Sequence, residues 1–297
     1  MGAFDGVHLG HRALLARVRD RAVERGLLPL AVSFEPIPRE FFARSGPVPR
    51  LSPLREKAAL MATGGIDTLL ALRFDAALAA MEAQAFIERV LVGRCGVREV
   101  WVGGDFRFGH ARRGDVAMLQ TLGAPAGFAV HVMEDFEVGG ERVSSSAVRA
   151  HLVAGRFAAA ARLLGRPFSI GGHVAHGAQL GRRLGWPTAN LRLGRRVSPV
   201  AGIFAVRVRG LGADAGWPGV ASLGTRPTVD GSGPLLEVHL FDFAGDLYGR
   251  RIEVEFVAKL REEVKFADLD AMVRQIGRDA AEARAMLSDA RALEDSG

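Results

Sequence analysis

At Arg166-Pro167 the spacing of apolar residues changes character, and no other feature constrains the fold of this chain as much. Upstream of it, short apolar runs alternate with amphipathic stretches. Residues 27–34, 67–72, 98–102 and 128–133 read as strands, and residues 10–25, 53–62 and 84–92 as helices. Strands separated by helices pair in parallel, because a crossover must return the chain to the same end of the sheet. Residues 144–155 open on hydroxyl side chains, which can cap a helix, and stop at Gly155; residues 157–164 repeat the pattern and stop at Gly165. Downstream, the apolar blocks are short and turn residues separate them: 168–174, 204–209, 220–223, 235–243 and 252–260. Five or six closely spaced strands suit a small closed barrel. From Ala267 on, Leu269, Met272, Ile276 and Met286 have helical spacing. The expected fold class is α/β: a doubly wound parallel sheet over residues 1–166, then a small closed β-barrel with a terminal helix over residues 167–297. A chain of 297 residues is long enough for two such cores.

Composition narrows the function. Cys95 is the only cysteine, which excludes an internal disulfide framework and any multi-cysteine metal site, and points to a reducing compartment, the cytoplasm. No apolar run approaches the length of a membrane span. The net charge is +6, and only Lys57, Lys259 and Lys265 among the 39 basic residues are lysines. A GC-rich genome explains an arginine excess, and so does a partner that carries phosphates; the charge alone does not choose nucleic acid over a nucleotide.

The opening run, Gly2-Ala3-Phe4-Asp5-Gly6-Val7-His8-Leu9-Gly10-His11, lies where a strand should end and a helix begin. Backbone N–H groups at a helix start favour an anion. Gly6 and Gly10 let the backbone approach a ligand, and His8 and His11, three residues apart, share one face of the first turn. Two imidazoles there can donate hydrogen bonds to phosphoryl oxygens as charge builds in an in-line displacement. The plain alternative is a polar turn with two exposed histidines. Gly103-Gly104-Asp105-Phe106-Arg107-Phe108-Gly109 follows a predicted strand, so it lies at the carboxyl edge of the sheet, where open α/β folds bind ligands. Ser144-Ser145-Ser146 can simply cap a helix, but with Arg149 one turn on they can also hold a polyphosphate.

In the second half, residues 172–190 form a glycine-rich basic stretch that ends in Pro187-Thr188-Ala189-Asn190. It is no Walker loop, since no Gly-Lys-Ser/Thr follows. Its backbone amides suit a polyphosphate, and the Thr188 hydroxyl and Asn190 carbonyl are hard oxygen ligands for Mg²⁺; a surface hairpin is the alternative. Further on, Leu236, Val238 and Leu240 alternate with Glu237, His239 and Phe241. If the first set packs the core, Glu237 faces the other side, either solvated or placed to take a proton from a hydroxyl nucleophile.

Taken together, the GxFDGxHxGH run, the VGGDFRFG run and VSSSAVR resemble the nucleotidyltransferases. They closely resemble the adenylyltransferase half of the bacterial bifunctional riboflavin kinase/FMN adenylyltransferases. The stretch from Gly172 to PTAN, LEVHLFDF and DLYGRRIEVEFVAKLREEVKF resemble the riboflavin kinase module of the same family. The resemblance implies that Gly2, Phe4, Gly6, His8, Gly10 and His11 bind ATP, with both histidines at the reacting α-phosphorus. It implies that Ser145, Ser146 and Arg149 hold the leaving pyrophosphate, and that Asp105 and Arg107 lie in the flavin and nucleotide pocket. For the barrel it implies ATP bound by Gly172, Gly177, Gly181, Pro187, Thr188 and Asn190, Mg²⁺ on Thr188 and Asn190, Glu237 as base, and Arg261 beside the flavin. Val143 for Ile, Ser146 for Thr and Phe204 for Tyr are tolerable departures.

The implied chemistry is phosphorylation of riboflavin to FMN and adenylylation of FMN to FAD. ATP is co-substrate, and no nucleic-acid or membrane partner is expected. Two other readings stay open: a kinase whose N-terminal half is inactive, and an RNA-binding protein. The second predicts aromatic residues interleaved on barrel strands, which instead carry mostly Val, Leu and Ile. Motifs like the opening one follow a parallel strand, yet only Met1 precedes Gly2. The expectation is therefore a first strand supplied from upstream, without which FMN would form far better than FAD.

Overall fold

The structure, a computed structural model, describes residues 1–297 except 45, 178–179, 195–196, 214, 225–232 and 295–297. The chain divides into two compact units, Met1–Val48 with Ser52–Ser145, and Pro49–Leu51 with Ser146–Gly297.

The first unit runs α1 (Leu9–Arg25), β1 (Leu30–Glu35), α2 (Leu54–Ala62), β2 (Thr68–Arg73), β3 (Glu99–Gly103), α3 (Val116–Gly123) and β4 (Ala129–Met133). β1 pairs with β2 in parallel, and β3 with β4 in parallel. Met1 and Gly2 lie between the two pairs: the Met1 amino group donates to the Trp101 carbonyl at 3.1 Å, and the Gly2 N–H to the Val32 carbonyl at 3.1 Å. The four central residues of β1 are all buried, which is why its sequence does not alternate and is apolar except at Ser33. α1 stops where Gly26 takes a left-handed conformation (φ 61°) and returns its N–H to carbonyls of the last turn.

The helix expected over residues 84–92 is only partly α. Ala83–Phe86 is α-helical, and Ile87–Val92 has the wider π turn, with the Gly93 N–H on the Glu88 carbonyl. Ile87, Val90 and Leu91 all reach the core from it, and over six residues apolar spacing does not separate the two pitches. α3 was not expected, although Asp115 announces it by capping the Met118 N–H at 2.9 Å.

The second unit carries α4 (Ser145–Val153, whose first residue belongs to the first unit), α5 (Phe157–Leu164) and strands β5 (Ser169–Ala175), β6 (Ala189–Arg192), β7 (Gly202–Arg209), β8 (Trp217–Leu223), β9 (Leu235–Leu240) and β10 (Arg251–Arg261). α6 (Leu269–Glu294) follows. The strands close into an antiparallel barrel in the order β8-β9-β6-β5-β10-β7. The short β6, not read as a strand from its sequence, closes the ring by pairing with β5 and β9 at once. Leu236, Val238, Phe204, Val206 and Val254 alternate into a fully buried interior, and Phe157 of α5 packs onto Phe204 and Phe256. α6 covers part of the outer face, with Ala280, Ala283 and Leu287 against Ala205, Val220 and Phe241.

The strand expected over 235–243 ends at Leu240. Phe241 is buried on the outer face beneath α6, its ring 5.9 Å from that of His239, and Asp242 turns the chain at φ 55° and receives Arg284 of α6 on both carboxylate oxygens.

Candidate active sites

In the first unit the site is built on a strained turn. Phe4 (φ 50°) and Val7 (φ 41°) flank Gly6 (φ 85°), and both non-glycine side chains are fully buried. Such angles cost roughly 1–3 kcal/mol each and persist where neighbours fix them. Here the neighbours are distant in sequence. The Gly6 N–H donates to Ser52 Oγ at 2.9 Å, and the Ser52 N–H to the buried Asp5 carboxylate at 3.0 Å. Ser145 Oγ, at the start of α4, donates to the Asp5 carbonyl at 2.8 Å.

His8 caps α1, its Nδ1 accepting the His11 N–H at 3.3 Å, so a neutral His8 ring carries its proton on Nε2. The His8 and His11 rings stack at 3.6 Å and 17°, and Phe4 meets His11 edge-on at 5.1 Å. The structure thus brings together the two histidines, Phe4, Gly6 and Ser145. Burial, then His8, Lys57 and the Met1 amino group, hold the His11 imidazole well below the usual histidine range, so it is neutral near pH 7. Its buried Nδ1 has no hydrogen-bond partner, a position that a ligand would complete. Gly10 lies in α1 beside His8, where an added Cβ would only touch the ring at 3.4 Å, and Gly2 lies beside the Phe4 ring.

Asp105 and Arg107 follow β3 at its carboxyl end, as the sequence implied. Each already has an ion-pair partner: Arg142 reaches Asp105 at 3.2 Å, and Arg107 reaches Asp115 at 2.9 Å. Ser146 continues α4, and Arg149 donates from Nε to the Pro49 carbonyl at 2.8 Å.

In the second unit, Glu237 stands on the outer face of the barrel, in register with Ser222 of β8 and Asn190 of β6. Its side chain is still exposed there. A cavity of about 540 Å³ receives it together with Thr188, Gly181, Arg261 and Glu263, walled by Trp186, Phe266 and, from α6, Met272, Ile276 and Asp279. The cavity walls, and then the Glu263 carboxylate, push the Glu237 carboxyl above the ordinary carboxylate range. The His239 ring meets the Pro187 carbonyl at 2.8 Å, which accepts and so assigns the Nδ1 proton; this holds the backbone just before Thr188.

Asn190 is buried, and its Oδ1 has no partner. A Cβ on Gly177 would lie 2.5 Å from the Asn190 amide, so only glycine permits this approach; one on Gly181 would lie 2.3 Å from the Trp186 carbonyl. Gly172 sits within β5 opposite Ile252, packed on Leu191 and outside the cavity lining. Residues 178–179 of this stretch lie outside the described residues. An orphaned amide oxygen and a nearby hydroxyl suit a hard cation that keeps substrate phosphates as its other ligands, so these residues fit Mg²⁺.

Arg261 is held from α6. Its Nε and one terminal nitrogen donate to the two oxygens of the buried Asp279 at 2.9 and 2.7 Å, and the other nitrogen to the Glu262 carbonyl at 2.9 Å. Sequence reading missed Asp279, Glu263 and Trp186. It also missed Lys57, whose signal was a lysine on the apolar stripe of α2, between the Leu54 and Met61 positions.

The family model for FAD synthetase matches residues 1–147, and that for riboflavin kinase residues 164–287. The chain is 50% identical over 287 residues to the bifunctional riboflavin kinase/FMN adenylyltransferase of Pseudomonas fluorescens, covering 96% of this chain and 91% of that one. It is 49% identical to the Escherichia coli K12 protein of the same name, covering 96% and 90%, and 42% identical to that of Haemophilus influenzae, covering 97% and 93%. A solved chain from Streptococcus pneumoniae described as a macrolide-efflux protein superposes with a TM-score of 0.77 at 27% identity, over 94% of this chain and 90% of that one. Among the described residues, no helix is long and apolar enough to cross a membrane. Two family models in tandem and relatives at this identity over nearly the whole chain place it in the family of bifunctional riboflavin kinase/FMN adenylyltransferases.

Proposed function

We propose that this chain makes FAD in two ATP-dependent steps, riboflavin phosphorylation by residues 167–297 and FMN adenylylation by residues 1–166. In the first, the ribityl hydroxyl oxygen attacks the γ-phosphorus of ATP, the bond to the ADP oxygen breaks, and Glu237 takes the hydroxyl proton. The observation that carries this reading is the cavity in which Glu237, Thr188 and Arg261 converge from three separate segments. A carboxyl pushed upward is a stronger base than an ordinary one. Thr188 Oγ1 and Asn190 Oδ1 would hold Mg²⁺, which supplies charge neutralisation on the polyphosphate. Gly177 and Gly181 keep that corner open, with Pro187 fixed beside it, and Arg261 orients the flavin.

In the second step a phosphate oxygen of FMN attacks the α-phosphorus of a second ATP, and pyrophosphate leaves. His8 and the neutral His11 donate to the phosphoryl oxygens at the start of α1, on the turn that contains Gly2, Phe4, Gly6 and Gly10. Asp105 and Arg107 line the nucleotide and flavin side. The setting is the cytoplasm, where riboflavin and ATP are both at hand. Incubating the chain with riboflavin and Mg-ATP, with the flavins separated by chromatography, tests both steps. FMN followed by FAD is expected, and no conversion of riboflavin would overturn the reading.

A further inference from the structure

Lys57 on α2 has no solvent exposure, and a buried ammonium is costly unless its N–H groups are satisfied. Its Nζ donates to the Ala3 carbonyl at 2.7 Å and to Ser33 Oγ at 3.1 Å, and Ser33 Oγ donates to the same Ala3 carbonyl at 3.2 Å. One carbonyl therefore receives donors from α2 and from β1. That carbonyl immediately precedes the turn in which Phe4 and Val7 take left-handed angles, and the turn leads into His8 and His11.

We infer that Lys57 is a positioning residue for adenylyl transfer, its ammonium holding the Ala3 carbonyl and so the turn that presents the two histidines. The inference rests on the adenylyl transfer proposed for this unit. A merely structural role does not require a cation. Leu54 and Met61 show that the same stripe of α2 takes apolar side chains. A cation there adds a field. The groups around the His11 ring are the stacked His8, Phe4, Lys57 and the Met1 amino group; burial most of all, then the charges of His8 and Lys57, disfavour a proton on His11. The same field favours a phosphate drawn to the helix start. Lys57 thus fixes where the imidazoles sit and adds to the burial that keeps His11 a neutral donor.

The test uses the full chain with Lys57→Met, which removes donor and charge, and Lys57→Gln, which keeps a donor but removes the charge. Riboflavin kinase rates of the same preparations report intact protein. FAD synthesis from supplied FMN should fall about 100-fold in Lys57→Met, as for a displacement of about 1 Å at a reacting centre, and less in Lys57→Gln. Removing a positive charge near His11 raises its pKa. The NMR titration midpoint of His11 should therefore move to higher pH in both variants, which a packing defect alone would not produce. FAD synthesis within about threefold of wild type in Lys57→Met, or an unmoved His11 midpoint in Lys57→Gln, would overturn the inference. Should Lys57→Met fail to fold, Lys57→Gln is read by the same two measures. A wild-type chain that makes no FAD refutes adenylyl transfer itself, and the His11 midpoint then still decides where the Lys57 charge acts.

Discussion

Glu237 shows how little a residue's face on a strand says about its environment. The alternation Leu236, Val238, Leu240 put it on the outer face of the barrel, as the sequence reading foresaw, and an outer face is ordinarily wet. What makes it a candidate base is the cavity built over that face, together with Glu263, which raises its affinity for a proton. Glu237→Gln should lower the rate of FMN formation by about 100-fold or more with little change in the KM for ATP, since it removes a base and no phosphate contact. Steady-state kinetics checks both parameters. Glu263→Gln removes the like charge and so lowers the Glu237 pKa. The acid limb of the kinase pH–rate profile should then move to lower pH, the reverse of what loss of a favourable partner would give. An unmoved limb would mean that Glu263 does not act on the reacting carboxylate.

At the scale of elements, the terminal helix does more than pad the barrel. Its spacing at Leu269, Met272 and Ile276 was legible in the sequence, but Asp279 was not, because it matters only through Arg261, eighteen residues earlier. A doubly charged, two-point contact of this kind is worth about 1.5–3 kcal/mol. Asp279→Asn should therefore raise the KM for riboflavin about tenfold while leaving the KM for ATP near wild type, read in the same assay. The glycine-rich stretch before β6 is likewise set by contact across strands. Gly177→Ala drives a methyl into the Asn190 amide at 2.5 Å, and kinase activity should drop while the barrel stays folded by circular dichroism. The π turn at Ile87–Val92 and the four-residue strand β6 were among the elements the sequence concealed. Their geometry is fixed by packing and by two-sided pairing, and neither leaves a local period to read.

For the molecule as a whole, the paired histidines and the Glu237 cavity lie in separate units, each with its own core. His11→Ala should abolish FAD formation and spare FMN formation, whereas Thr188→Ala should cripple FMN formation and spare FAD formation from supplied FMN. Parallel assays of both products check the crossed pattern, and a variant that loses both activities together would argue against the division. The sequence by itself determined much of this. Apolar period set a parallel α/β unit ahead of a barrel, and the motifs singled out His8, His11, Thr188, Asn190 and Glu237 as candidates, because spacing along the chain is local information. Only the tertiary structure decided which distant groups surround them. Ser52 and Lys57 on the Phe4–Val7 turn, Glu263 beside Glu237, and Asp279 on Arg261 are contacts between elements. No local pattern encodes such contacts, since their energetics arise from burial and electrostatics that exist only once the chain has closed on itself.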